Sequence, residues 1–330
     1  MTEQGALLTV KNLRVEIPTR RELLVPVDDV SFEIAPGEIL GVVGESGAGK
    51  SLTGSAVIGL LEPPGRIAGG EIYLRDRRID NLPYRDMRKI RGAEIGMIFQ
   101  DPLTSLNPVY TIGRQLVETL QTHQDLNQKA AQARAIDLLR EVGIPAAAER
   151  INQYPHQFSG GMRQRVVIAL ALANNPKLII ADEPTTALDV SVQAQIIKLL
   201  KRLAGEHGAA VMLVSHDMGV IAETCDRVAV MYAGRIVEVG DVHNVVERPN
   251  HPYTQGLMAA IPRLGAHDEK LAHIKGSMPR PNAIPTGCAF HPRCPHAFAL
   301  CHVDRPELMD GAGSSAACWL LAQEKEKASV

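Results

Sequence analysis

Eight residues, Gly44-Glu45-Ser46-Gly47-Ala48-Gly49-Lys50-Ser51, constrain this chain more than any others. They follow the apolar run Ile39-Leu40-Gly41-Val42-Val43 and precede Leu52-Thr53-Gly54-Ser55-Ala56-Val57-Ile58, which can open a helix. Strand, glycine-rich loop and helix in that order are the setting of a phosphate-binding P-loop. Glycines let successive backbone N–H groups curl around a phosphate chain without Cβ clashes. The new helix adds the positive end of its dipole. Lys50 brings a point charge to the outer phosphates, and Ser51 a hydroxyl for Mg²⁺. A plain glycine-rich turn would explain the bend but not the adjoining Lys-Ser pair.

At 330 residues the chain has room for about two domains and a sizeable core. A net charge of −2 provides no bulk basic field for nucleic acid. No apolar run approaches the roughly 20 residues that span a bilayer. Met1-Thr2-Glu3-Gln4-Gly5 lacks the basic start and apolar segment of a secretion signal. The expectation is a cytosolic chain that remains able to dock onto membrane proteins.

Residues 8–10 and 30–34 alternate apolar and polar as half-buried strands do, and Pro36-Gly37 marks a turn. Further strands are expected at 71–74 and 95–99. From Asp101 to Tyr154 the pattern turns helical: Ala131, Ala135, Leu138 and Val142 share one face, and Gly143 with Pro145 supplies a stop. This reads as a helical insertion in an α/β core. A helix follows Ser159-Gly160-Gly161. The apolar strand 178–181 ends in Asp182-Glu183-Pro184, and Val192, Ile196, Leu199 and Leu203 trace a helix closed by Gly205. Strand 211–214 ends in Ser215-His216-Asp217, and 228–232 with 236–239 reads as a hairpin. Past Asp241, proline and histidine become frequent and periodicity fades. That places an ATPase-type domain at 1–245, with its helical part at about 101–160, and a smaller domain at 246–330. Glu324-Lys325-Glu326-Lys327 reads as a solvated tail.

Several side chains carry chemistry. Asp182, ending an apolar strand, suits an acid that orders Mg²⁺. The adjacent Glu183 can polarise a water aimed at a γ-phosphate; an acidic strand exit is the alternative for Asp-Glu-Pro alone. His216 follows a strand and can hydrogen-bond a γ-phosphate, although a capping or core histidine is the commoner case. Gln100 follows a strand too and can reach Mg²⁺ and the attacking water. Ser159-Gly160-Gly161 at a helix start is a second anion-binding device. Two phosphate devices with one P-loop point to a site assembled between subunits.

The P-loop, Gln100, Ser159-Gly160-Gly161, Asp182-Glu183, Asp189 and His216, in that order, resemble the ATP-binding cassette of ABC transporters. Finer motifs resemble the oligopeptide/dipeptide (and nickel) importer branch: Phe99-Gln100-Asp101-Pro102, Ser105-Leu106-Asn107-Pro108, Tyr154-Pro155-His156-Gln157-Phe158-Ser159-Gly160-Gly161-Met162, Ala181-Asp182-Glu183-Pro184-Thr185-Thr186-Ala187-Leu188-Asp189-Val190, His251-Pro252-Tyr253-Thr254 and Gly287-Cys288-Ala289-Phe290-His291-Pro292-Arg293-Cys294-Pro295. The resemblance implies an α/β P-loop NTPase fold: a RecA-like core, an N-terminal antiparallel β subdomain, an α-helical insertion and a small C-terminal domain. It implies an ATPase powering peptide import, with nickel or another small solute as alternative cargo. It further implies a second, non-identical ATPase subunit, two membrane permease subunits and an extracytoplasmic binding protein, at the cytoplasmic face of the membrane. A rival of another class is a soluble ABC ATPase acting on nucleic acid, but such chains commonly carry two cassettes.

By the same resemblance, Gly44, Glu45, Ser46, Gly47, Ala48, Gly49, Lys50 and Ser51 hold the β- and γ-phosphates, with Ser51 and Gln100 on Mg²⁺. Asp182 supports the metal, Glu183 is the general base and His216 meets the γ-phosphate. Ser159, Gly160 and Gly161 face the partner cassette's ATP, and Asp189 lies in the loop between cassettes. Two positions depart from the general ABC signature, Phe158 for Leu and Met162 for Gln, and both match the peptide-importer branch. Near Ile17, where many cassettes place an adenine-stacking ring, residues 1–31 contain no aromatic, so adenine would rest on aliphatic surface.

Of the five cysteines, Cys225 stands apart, while Cys288, Cys294, Cys301 and Cys318 follow C-x5-C-x6-C-x16-C. With His291, His296 and His302 nearby, spacing alone places zinc slightly ahead of iron–sulfur, with disulfides third. The family resemblance reverses the first two. It implies a D-type subunit with a [4Fe–4S] cluster on those four thiolates.

Overall fold

The computed structural model describes residues 5–186, 188–261 and 273–328. Two long strands open the chain, β1 (Leu8–Pro18) and β2 (Leu23–Ile34), followed by the wholly buried β3 (Ile39–Val43) and α1 (Lys50–Val57). Next come β4 (Arg66–Leu74), β5 (Arg77–Arg78), α2 (Tyr84–Ile90) and β6 (Ile95–Ile98). The helical stretch holds α3 (Pro102–Ser105), α4 (Ile112–His123), α5 (Gln128–Glu141), α6 (Ala147–Arg150) and α7 (Gly160–Leu172). Strand and helix then alternate through β7 (Leu178–Asp182), α8 (Val190–His207), β8 (Ala210–Ser215), α9 (Met218–Thr224), β9 (Arg227–Tyr232) and β10 (Arg235–Asp241). The remainder forms α10 (Val242–Glu247), α11 (Pro252–Ala259), α12 (Ala299–Val303), β11 (Met309–Asp310), β12 (Ser314–Ala316) and α13 (Trp319–Ala328).

The chain divides into two compact units. One holds the described parts of Met1–Leu8, Ile34–Glu38 and Asn81–Val214. Within it β6, β7 and β8 pair in parallel, in the order β8-β7-β6. The run Leu178-Ile179-Ile180-Ala181 is fully buried, as a strand covered on both faces must be. Each such Leu or Ile contributes about 1.5–3 kcal/mol over exposure. In the helical part, Thr111 caps α4 by accepting from Arg114 N, and Asn127 caps α5 by accepting from Ala130 N. The expected face of Ala131, Ala135, Leu138 and Val142 is buried. The α8 helix runs past Gly205 to His207. Its end is Gly208, whose φ of 62° supplies the left-handed turn that Gly205, still inside the helix, does not.

The other unit holds the described parts of Thr9–Glu33, Ile39–Asp80 and Ser215–Val330. It contains a four-stranded sheet, β2-β1-β4-β5, and the strand order β11-β12-β10-β9-β3, in which only β3 and β9 are parallel. Sequence alternation is interrupted at Lys11-Asn12, where Asn12 takes a φ of 48°, and resumes from Leu13 to Ile17, so β1 continues to Pro18. The charged members of the resumed alternation are paired: Arg14 Nη1 meets Asp28 Oδ1 at 2.6 Å, and its Nε meets Glu16 Oε1 at 3.1 Å. Past Asp241 the described chain stays with these strands. The β12 strand pairs antiparallel with β10, placing Ala316 opposite Glu238. Glu238, fully buried, accepts from the N–H groups of Asn250 and His251 and from Ser314 Oγ. The segment Glu324-Lys325-Glu326-Lys327 lies on α13; a helix satisfies its backbone where a free tail would rely on water.

Candidate nucleotide site and cysteine pocket

The P-loop begins where β3 ends. At Gly49, the N-cap of α1, φ is 100° and a Cβ would lie 2.6 Å from Pro26 O. Only glycine meets both conditions. Lys50 is 5% exposed, and its ammonium donates to Gly44 O at 2.8 Å and Glu45 O at 3.1 Å. Gly234 N donates to Ala48 O at 3.0 Å, fixing the far side of the loop. Ser46 and Gly47 are exposed and Ser51 is half-buried. The loop is thus an anchored arch with an open crown. Its lysine is held on carbonyls of the loop itself, where an incoming phosphate can compete for it.

In the other unit, Asp182 ends β7 and is 8% exposed. Glu183 leaves the strand at a φ of 43°, with its N–H donating to Val214 O at 3.0 Å. A left-handed non-glycine residue costs of the order of 1 kcal/mol and concentrates at functional sites. Glu183 Oε2 accepts from Gln100 Nε2 at 3.2 Å and from Thr186 Oγ1 at 2.9 Å. Gln100 and Glu183 are far apart in sequence, and the parallel pairing of β6 with β7 brings the two strand ends side by side. Thr186 stands in a motif of the sequence but is given no role there. A hydroxyl three residues after a strand-end acid is the signal that could have found it. His216, which belongs to the same unit as the P-loop, stands exposed directly after β8, next to Asp217, whose carboxylate caps α9.

The Ser159-Gly160-Gly161 turn is exposed at its first two residues, and Ser159 Oγ accepts from Met162 N at 3.4 Å to cap α7. Phe158, 3% exposed, anchors the turn. At Gly161 a Cβ would meet Val192 Cγ1 at 2.8 Å. Asp189 caps α8, accepting from Ser191 Oγ at 2.8 Å and Val192 N at 3.1 Å. Those bonds hold its carboxyl below the usual carboxylate range. Ala187, two residues earlier, lies outside the described residues. Ile17 is half-buried on β1.

All four C-terminal cysteines line one small pocket, together with His251, His291 and His296. None is in a disulfide. Cys288 N donates to Cys301 O at 2.9 Å, and Gly287 has a φ of 70° where a Cβ would lie 2.4 Å from that same oxygen. Glycine is therefore what lets the Cys288 loop close on α12. Burial pushes the Cys288 and Cys294 thiols up, and that of Cys318 to about 11. Among the described residues, no three His, Cys, Asp or Glu side chains are grouped to hold a single metal ion. The donor set is nevertheless four sulfurs around one pocket, the ligand type that iron–sulfur clusters use. Cys225 lies elsewhere, buried against Gly41.

One feature is missing from the sequence reading altogether. Glu45, the second P-loop residue, is held from the C-terminal region at both backbone and side chain. Tyr253 Oη accepts its N–H at 2.9 Å, and Arg293 grips both carboxylate oxygens at 2.9 Å.

The family profile for ABC transporters matches residues 27–186, and that for the oligopeptide/dipeptide transporter C-terminal region matches 237–301. The chain is 46% identical to the oligopeptide transport ATP-binding protein AppD of Bacillus subtilis over 322 residues, 97% of this chain and 98% of that protein. It is 48% identical to the oligopeptide transport ATP-binding protein OppD of Escherichia coli, covering 98% of this chain and 95% of that protein. Among solved structures, the dimeric ATP-binding cassette MJ0796 in a post-hydrolysis state with ADP and Pi matches with a TM-score of 0.64 at 30% identity. That match covers 71% of this chain and 98% of the cassette.

Proposed function

The chain belongs to the ABC transporter family, in its oligopeptide/dipeptide branch, and from that premise we propose that it is the ATP-hydrolysing subunit that powers peptide import through a membrane permease. The observation that carries the reading is the joint presence of an anchored P-loop, a Gln100–Glu183 pair at strand ends and an exposed Ser-Gly-Gly helix start.

The residue roles are as follows. Residues 44–51 cradle the β- and γ-phosphates, with Lys50 transferring from loop carbonyls to phosphate oxygens. Ser51, Gln100 and Asp182 would hold Mg²⁺, which would supply neutralisation of phosphate charge. Glu183 takes a proton from the attacking water and His216 steadies the γ-phosphate. Ser159, Gly160 and Gly161 serve the ATP of a second, non-identical cassette, and Asp189 fixes the turn beside that interface. ATP closes the pair and hydrolysis releases it. The helical stretch 103–155 passes the motion to two permease subunits fed by an extracytoplasmic binding protein. Among the described residues no helix is long and apolar enough to cross a membrane; membership of the importer family is what supports peripheral attachment at the cytoplasmic face of the inner membrane. Residues 1–245 are the ATPase body and 246–330 a C-terminal module.

Reconstitution in liposomes with the permease subunits and second cassette tests this. ATP hydrolysis should rise when peptide-loaded binding protein is added, should not respond to DNA or RNA, and should respond less to nickel. Stimulation by nucleic acid without membrane partners would overturn the reading.

The four thiols of the pocket support a [4Fe–4S] cluster on Cys288, Cys294, Cys301 and Cys318, with Zn²⁺ the alternative. Bound there, it would tie the Cys288 loop, α12 and the start of α13 together as a structural staple. Anaerobically purified protein should contain about four irons and four acid-labile sulfides. Zinc without iron would replace the cluster assignment.

A further inference from the structure

The nucleotide loop is held in shape from outside itself, and by the cysteine-bearing region. Arg293 directly precedes Cys294, and its side chain is 7% exposed. The guanidinium takes both oxygens of Glu45 at 2.9 Å and also donates to Lys275 O at 2.9 Å. Its other face lies over Tyr232 and Phe290, with ring centroids 5.8 and 5.9 Å away. Tyr253, fully buried, packs edge-on against Tyr232 at 4.7 Å and accepts the Glu45 N–H. A planar fork buried on an aromatic platform and gripping a carboxylate bidentately is a stiff, directional contact. Both attachments fall on the residue whose carbonyl also receives Lys50. The orientation of Glu45 therefore decides where the phosphate-binding lysine and the crown of the loop stand.

We infer that Arg293 and Tyr253 are positioning residues for the P-loop: they hold Glu45, and through it the loop, in the shape that accepts ATP. This rests on the ATPase reading above. Without the clamp the loop samples other shapes, and nucleotide affinity falls by the fraction of time the competent one is lost. Once ATP is bound it holds the loop by itself, so turnover at saturating nucleotide is largely kept. A simple anchor of the C-terminal region would instead lower the melting temperature and leave nucleotide affinity unmoved.

The test uses the full chain, a fluorescent non-hydrolysable ATP analogue with Mg²⁺, and steady-state hydrolysis. Arg293→Ala is expected to weaken analogue binding about tenfold and raise KM alike, with kcat within about twofold of wild type. Arg293→Lys, which keeps the charge but not the fork, should fall between the two. Glu45→Gln should weaken binding similarly, and the Glu45→Gln/Arg293→Ala double variant no further, since both act through one contact. Should Arg293→Ala fail to fold, Tyr253→Phe keeps the ring and removes only the acceptor oxygen, and a several-fold loss of affinity is expected. Unchanged affinity in the folded variants, or additive losses in the double variant, overturns the inference while the ATPase reading stands. Wild-type protein that binds no nucleotide overturns both.

Discussion

Glu183→Gln is expected to slow ATP hydrolysis by about 10²–10⁴-fold while ATP-driven pairing of the cassettes survives. The substitution is isosteric. The amide oxygen can still accept from Gln100 Nε2 or Thr186 Oγ1, which meet the carboxylate at 3.2 and 2.9 Å. The backbone keeps its φ of 43° and its bond to Val214 O. What disappears is the ability to take a proton from water. Single-turnover hydrolysis and size-exclusion chromatography with ATP separate the two effects. Wild-type hydrolysis in this variant would remove Glu183 as the base.

Lys50→Ala is expected to lower nucleotide affinity and turnover by about 10²-fold or more, because a fixed charge aimed at the phosphates is worth several kcal/mol in a water-poor site. Its ammonium also closes the loop on Gly44 O and Glu45 O at 2.8 and 3.1 Å, so the variant loosens the arch as well. Analogue binding combined with thermal melting apportions the loss. The effect on saturated turnover distinguishes it from Arg293→Ala: the lysine touches phosphate and lowers kcat, whereas the arginine acts only on the loop's shape. A Lys50→Ala protein that turns over normally at saturating ATP would remove the lysine from the chemistry.

The P-loop, Asp182, Glu183 and His216 are legible because each stands at the end of an apolar strand. A buried strand must expose its polar residues where it leaves the core, so site residues and strand ends coincide in the text of the sequence. Ser159-Gly160-Gly161 is legible for a related reason, since caps and glycines announce a helix start. The far half of β1 is missed because Lys11-Asn12 interrupt the alternation, with Asn12 at a left-handed φ of 48°, before it resumes through Leu13-Arg14-Val15-Glu16-Ile17. The end of α8 is misplaced by three residues, because Gly205 and Gly208 look alike until one adopts a left-handed φ.

By itself the sequence determined which groups are the candidates for catalysis and phosphate binding, their order along the chain and the cassette fold that orders them. Those properties are local, set by strand, turn and cap chemistry within a few residues. Only the tertiary structure decided that Gln100 meets Glu183, that four distant cysteines share one pocket, and that Arg293 and Tyr253 grip the P-loop at Glu45. Each of these joins residues far apart in the chain. No local pattern encodes such a contact, because its geometry is set by the packing of whole elements rather than by the residues that finally touch.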